Sequence, residues 1–204
     1  MSPQRYRLSF TTGGLFLQEA PVVAERYLVV RDWQATRAQV RSENLLQVRT
    51  STAATRISKE LISRLELLSR EEVTLLTTGT RREQGYVLWS ATCRRYAFIH
   101  DFAVDVLREH FLTLRHQLTP NDFDAFVNSK AVWHAELDEL APSTLQKLRQ
   151  NLFRMLRDAD LLSDQGLIQP ALLTPHLAKI LATHQPDKLN IFPAADIDIR
   201  RWLQ

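Results

Sequence analysis

The chain has 204 residues, enough for one large domain or two small lobes, and its 45% hydrophobic and 24% charged residues are those of an ordinary soluble globular protein. Its formal net charge of +3 is mild, which excludes a strongly polycationic tail-like protein. Five glycines leave little for a phosphate-cradling loop, and the adjacent pair Gly13-Gly14, in TTGGLF, matches neither a P-loop nor a dinucleotide fingerprint.

Residues 6–18, YRLSFTTGGLFLQ, read as an extended lead-in with a turn at Gly13-Gly14. A helix starts near Glu19. Asp32 is placed to cap a second, DWQATRAQVRSENLL. The next segment, RTSTAATRISKELISRL, has Ser51 as its N-cap candidate. Ile57, Leu61, Leu65 and Leu68 form one apolar stripe along it, while Thr52, Arg56, Lys59 and Ser63 share a different face. Ser69 to Glu72 is a capping box and Gly79 a natural stop. TRREQGYVLWS reads as a turn into a short strand or another helix. Residues 91–117 read as one long amphipathic helical region, the most aromatic part of the chain. Thr119-Pro120 ends it and opens an acidic helical region over 121–140.

Pro142-Ser143 starts a further helix, PSTLQKLRQNLFRMLRDADLLS. Leu145, Leu148, Leu152, Met155 and Ala159 make its buried stripe. Lys147, Gln150, Asn151, Arg154 and Arg157 are assigned to the other side. LLSDQGLIQP follows as a β-hairpin signal. A last helix, LLTPHLAKILATH, leads into a proline-containing tail.

Two of these helices echo each other: STAATRISKELISRLELLS and STLQKLRQNLFRMLRDADLLS. Both open on Ser-Thr, bury Leu and Ile, face outward with bases and hydroxyls or amides, and close on Leu-Leu-Ser. A helix N-terminus with short polar side chains grips phosphate. Arg, Lys, Asn and Gln further along reach base edges in the major groove. The hairpin after the second helix stands where a winged helix-turn-helix keeps its wing. The candidate nucleic-acid-binding residues are therefore Arg49, Ser51, Thr52, Thr55, Arg56 and Lys59 in the first unit. In the second they are Ser143, Lys147, Gln150, Asn151, Arg154 and Arg157. The skew of 21 arginines to 5 lysines points the same way, because a guanidinium fork meets phosphates and guanine edges two bonds at a time. Genomic base composition also produces such a skew, and ordinary helices also carry solvated polar faces.

The expected fold is mostly α, a helical protein with two helix-turn-helix-like units, the second with a wing candidate, and minor β. The expected division is 1–85, an N-terminal helix-turn-helix-like lobe, and 86–204, a C-terminal helical lobe with the winged unit. Double-stranded DNA is the expected partner.

Catalytic chemistry is sparse. The histidines His100, His110, His116, His134, His176 and His184 form no metal-ligand spacing. In His100-Asp101 and His134-x-Glu136 the side chains are expected to point apart, as adjacent and i+2 residues do on a helix. Asp122, Asp124, Glu136, Asp138 and Glu139 read as an acidic face for a protein partner, which with Phe126 and Trp133 makes an alternative docking surface. No cofactor, no metal and no small-molecule ligand are expected, and an enzyme is not. The single cysteine, Cys93, allows no intrachain disulfide and reads as a small buried residue. No apolar run approaches the roughly 20 residues that cross a bilayer, and MSPQRYRLSF lacks the apolar core of a signal peptide. A cytoplasmic location with no membrane partner is expected.

The blocks YRLSFTTGGLFLQEA, DWQATRAQVRSENLLQVRTSTAATRISKELISRL, LWSATCRRYAFIHDFAVDVLREHFL, DFDAFVNSKAVWHAELDEL and STLQKLRQNLFRML occur in an order that resembles the BrxA family of type 1 BREX phage-defence systems. They cover most of residues 6–160; the tail after Leu181 is less similar. The resemblance implies a non-enzymatic component of bacterial phage defence, acting with other BREX proteins. It also implies an all-helical fold with helix-turn-helix character and DNA binding. The family has been likened to an RNA-binding antitermination factor, which keeps an RNA-binding reading open. An inner-membrane label attached to some members conflicts with the absence of an apolar span here.

Overall fold

The computed structural model describes residues 5–183 and 186–204. His184 and the first four residues of MSPQRYRLSF lie outside that description. The fold is mostly α, as expected. The lead-in is extended and carries Gly13 at φ 66°. Five helices follow: α1 (Glu19–Val30), α2 (Trp33–Ser42), α3 (Ser51–Leu65), α4 (Arg70–Thr78) and α5 (Arg81–Arg95). The starts of α2 and α4 carry the caps the sequence indicates. Asp32 accepts a hydrogen bond from the Ala35 N–H at 2.6 Å, and Ser69 and Glu72 form a reciprocal capping box.

Thr80 and Glu83 form a second capping box, and this fixes TRREQGYVLWS as a helix. Gly85 lies inside α5, where the helix passes close to the end of a later helix. A Cβ there would stand 3.4 Å from the backbone of Ala159, an ordinary van der Waals contact. Residue 85, the expected division, falls within α5.

The long helix expected over 91–117 is broken. Tyr96 is extended at φ −126°, ψ 97° and interrupts the chain between α5 and α6 (Ala97–Phe102). The break turns the Tyr96 ring into the core, where it meets Phe10 edge-on and its hydroxyl donates to Glu60 at 2.6 Å. A π-helical segment (Ala103–Arg108) and α7 (Glu109–Leu112) complete the region. Phe98 and Phe102 pack edge-on against Phe126 of α8 (Pro120–Ala131).

The fold closes with α9 (Pro142–Asp158), α10 (Pro175–Ala182), a 3-10 turn (Pro186–Ile191) and α11 (Asp196–Leu203). The tail is thus structured: Phe192 is fully buried and the Trp89 indole N–H donates to the Ile191 carbonyl at 3.0 Å.

The hairpin between α9 and α10 exists in miniature. Ser163 N–H meets the Leu167 carbonyl at 2.8 Å, Leu162 pairs antiparallel with Ile168, and Gly166 turns at φ 79°. Residues 116–118 pair along its other edge, through Ile168 N–H to His116 O and Leu118 N–H to Gly166 O, both 2.8 Å. This is the minor β component among the described residues.

Candidate nucleic-acid interface

Helix α3 is held by Leu61 and Leu65, both fully buried, with Ile57 and Leu68 half-buried at its margins. Its true N-cap is Thr50, not Ser51. Thr50 has extended dihedrals and its hydroxyl accepts from the Ala53 N–H at 3.2 Å. Ser51 is therefore the first helical residue and its hydroxyl faces solvent. Thr52, Arg56 and Lys59 are exposed along the outward face, Thr55 is half-buried, and Arg49 is exposed just before the helix.

The structure brings three of these together. Arg49, Ser51 and Thr55 line a groove of 570 Å³ whose opposite wall comes from the end of α2: Arg41, Ser42 and Asn44. Arg41 and Asn44 were not singled out from sequence. Asn44 sits at φ 46° and its side chain accepts from the Val48 N–H at 3.1 Å, which shapes the loop between the helices. An Arg in the last turn of α2 followed by Asn was the available signal.

Helix α9 presents Ser143, Lys147, Gln150 and Arg154 to solvent, with Arg157 half-buried. Lys147, Gln150, Arg154 and Arg157 recur at i, i+3, i+7 and i+10, one stripe. Pro142 occupies the first position, and the N-cap, Ala141, supplies no side-chain hydrogen bond.

Asn151 does not belong to this face. It is 4% exposed and its amide donates to the Phe10 carbonyl at 3.0 Å. Its position explains why: it falls three residues after Leu148 and four before Met155, inside the apolar stripe. A buried amide there must be hydrogen-bonded, and the lead-in backbone supplies the acceptor.

Arg49, Arg56, Lys59, Lys147, Arg154 and Arg157 take part in no ion pair within 4.0 Å among the described residues. Many of the other arginines are compensated, Arg149 by Asp124 at 2.7 Å and Arg37 by Glu66 at 2.9 Å. These six cations therefore make no close ion pair, although Asp158 stands near Arg154 beside Gly14.

The acidic residues do not gather. Asp122 caps Thr119, Asp124 holds Arg149, Glu136 accepts from the Tyr6 N–H, and Glu139 pairs with Arg5. The two histidine–carboxylate pairs expected to point apart in fact meet. His100 Nδ1 lies 3.2 Å from Asp101 and His134 Nδ1 lies 3.1 Å from Glu136. His134 is outside a helix, at φ −130°, ψ 79°, so helical spacing does not govern it. It stacks on Tyr6 at 3.7 Å. Phe126 is buried in the aromatic core and Trp133 is exposed, and both border one groove.

Fold and surface together define an all-α protein that displays two basic helix faces whose six named cations make no close ion pair among the described residues. No group of three His, Cys, Asp or Glu side chains suited to a metal ion occurs among the described residues. No helix among them is long and apolar enough to cross a membrane.

The family model for BrxA matches residues 4–185, and the chain belongs to the BrxA family. The BREX protein BrxA of Escherichia coli O9:H4 (strain HS) is 29% identical over 147 residues, covering 72% of this chain and 69% of that protein. The BREX protein BrxA of Paramagnetospirillum magneticum (strain ATCC 700264 / AMB-1) is 24% identical over 164 residues, covering 80% and 82%. An uncharacterized protein from Magnetospirillum magneticum, known from a crystal structure, shares the fold with a TM-score of 0.80 at 19% identity, over 92% of this chain and 97% of that one.

Proposed function

We propose that the chain is a non-enzymatic, DNA-binding accessory component of a bacterial BREX anti-phage system, working with other BREX proteins. The observation that carries this reading is the unpaired charge on the two helix faces, set beside membership of the BrxA family. In this reading α2–α3 and α9 with its hairpin act as two helix-turn-helix-like units, the second winged. The N-terminus of α3, with Arg49, Ser51, Thr52 and Thr55, grips phosphate. Gln150 and Arg154 of α9 reach base edges, while Arg56, Lys59, Lys147 and Arg157 add backbone contacts that release counterions.

A mobility-shift series on a random-sequence duplex tests it. Wild-type affinity should fall steeply between 50 and 200 mM salt, by about 10³-fold if some six phosphates are contacted. Arg56→Glu and Arg154→Glu should each weaken binding. Flat binding across the salt series contradicts the mechanism.

One observation favours a second reading, a protein-interaction scaffold. Val132 and Trp133 stand exposed just after α8, and Asp138 and Glu139 are exposed a few residues further along the chain. Co-purification with other BREX proteins that is lost in Asp138→Lys/Glu139→Lys supports that reading. Competition between duplex DNA and single-stranded RNA for the same protein separates DNA from RNA binding.

A further inference from the structure

A second arginine cluster lies apart from the two helix faces. Arg5 and Arg7 of the lead-in and Arg94 and Arg95 at the end of α5 line a groove of 320 Å³, with Leu67 and Ala97 as its apolar walls. Among the described residues no carboxylate lines it. Arg94 is committed to Glu72 and the Leu67 carbonyl, and Arg5 to Glu139 at 2.9 Å on the exposed rim. Arg7 and Arg95 pair with no carboxylate within 4.0 Å among the described residues. The Nε of Arg95 is buried and makes no hydrogen bond among them.

An unmade bond on a buried guanidinium nitrogen is costly, and the two guanidiniums without a carboxylate, Arg7 and Arg95, repel at the groove. An anion with several acceptor oxygens in the groove relieves that repulsion. Phosphate matches: guanidinium forks bind two of its oxygens in parallel. The Glu72 pair keeps Arg94 fixed, so the groove is shaped in advance.

The lead-in ties the groove to the buried side of α9. The Phe10 carbonyl is held by Asn151 of that helix, and Arg7 is three residues away, at most about 11 Å of extended chain. We propose that the Arg7–Arg95 groove is a phosphate seat, and that it takes one backbone phosphate of the duplex lying against α9. The second clause rests on the DNA-binding reading above; the first does not.

Two measurements test the two clauses separately. In the first, inorganic phosphate is titrated into the isotope-labelled full chain while the amide signals of Arg7, Arg95 and Ala97 are followed. A saturable shift confined to these signals, and abolished in Arg7→Gln/Arg95→Gln, is expected. No saturable shift at tens of millimolar phosphate overturns the seat. In the second, duplex affinity is measured against salt for wild type, Arg7→Gln and the double variant. The slope of log affinity against log salt should shallow by about 0.9 in the double variant, the value of one lost contact, with equal loss on unrelated sequences. Arg7→Gln is exposed and unpaired, so its folding is not at issue, and it should show part of the change. An unchanged slope beside an intact phosphate shift overturns the duplex clause alone. A phosphate shift in a wild type that binds no duplex sustains the seat and sinks the DNA-binding reading.

Discussion

Helices α3 and α9 read almost alike as strings, and the structure uses them alike in one respect and differently in another. Each places one polar side chain in its apolar stripe and hooks it to the same lead-in segment. From α3, Arg64 donates to the Gly14 carbonyl at 2.9 Å. From α9, Asn151 donates to the Phe10 carbonyl at 3.0 Å. The hooks differ in chemistry. Arg64 is 1% exposed, paired with Glu60 at 2.8 Å, and lies over the rings of Phe16 and Tyr96. Asn151 is neutral and needs no counter-charge. The helix starts differ too: α3 has a side-chain cap and α9 does not. A polar residue on an amphipathic helix is therefore either a surface group or a hook on the backbone, and only its phase in the stripe distinguishes them.

Breaking the charged hook should have the largest effect. Arg64→Ala leaves Glu60 and the Gly14 carbonyl without their partner and should destabilise the fold by about 3–5 kcal/mol, as expected for half of a buried pair; urea unfolding measures it. Asn151→Ala should cost about 1–3 kcal/mol, the penalty of a buried carbonyl left unsatisfied. Its neighbour Gln150→Ala should change stability by less than about 0.5 kcal/mol and weaken duplex binding instead. If the two residues swap these behaviours, the assignment of faces on α9 is wrong.

The caps give a smaller contrast. Thr50→Ala should cost about 1 kcal/mol, while Ala141→Ser should gain about 0.5 kcal/mol by supplying the cap that α9 lacks. Thermal unfolding of both variants reads the two signs.

The smallest effect concerns the far end of the lead-in, anchored at Tyr6 by Glu136 and Asp101. Burial works against ionisation of the Glu136 carboxyl, but the Tyr6 N–H, its own backbone N–H and His134 outweigh it and hold it below the usual carboxylate range. Burial likewise opposes ionisation of Asp101, and the His100 and Tyr6 hydrogen bonds overcome it. A carboxyl depressed in the folded state stabilises that state above its unfolded value, about 4, and the contribution is lost as pH falls through the folded value. Hydrogen-exchange protection at Tyr6 should therefore fall on acidification below about pH 4, while the Arg64 and Asn151 hooks hold the segment from Phe10 to Gly14.

Much of the architecture was legible because it follows from local chemistry. Asp32, Ser69 with Glu72, and Thr119-Pro120 mark helix starts wherever their backbone donors need partners. The stripes of α3 and α9 follow from helical period, and Gly166 from the left-handed turn of the hairpin. The break at Tyr96 was not legible, since nothing local forbids a helix there; the burial of one ring among distant residues decides it. The α11 helix was hidden for a similar reason, because the tail is organised by Trp89 and the core around Phe192. On the candidate interface, the exposed stripe Lys147, Gln150, Arg154 could be read directly. Asn151 was misplaced because its residue type was weighed above its phase. Arg41 and Asn44 were missed because the groove joins two helices across a loop.

The most direct test of the central claim is hydrogen exchange of the intact chain with and without a duplex. The account predicts new protection over residues 49–59 at the start of α3 and over the first turns of α9, with α8 unchanged. Protection confined to α8 and its exposed Trp133, with both basic helices unaffected, would contradict it.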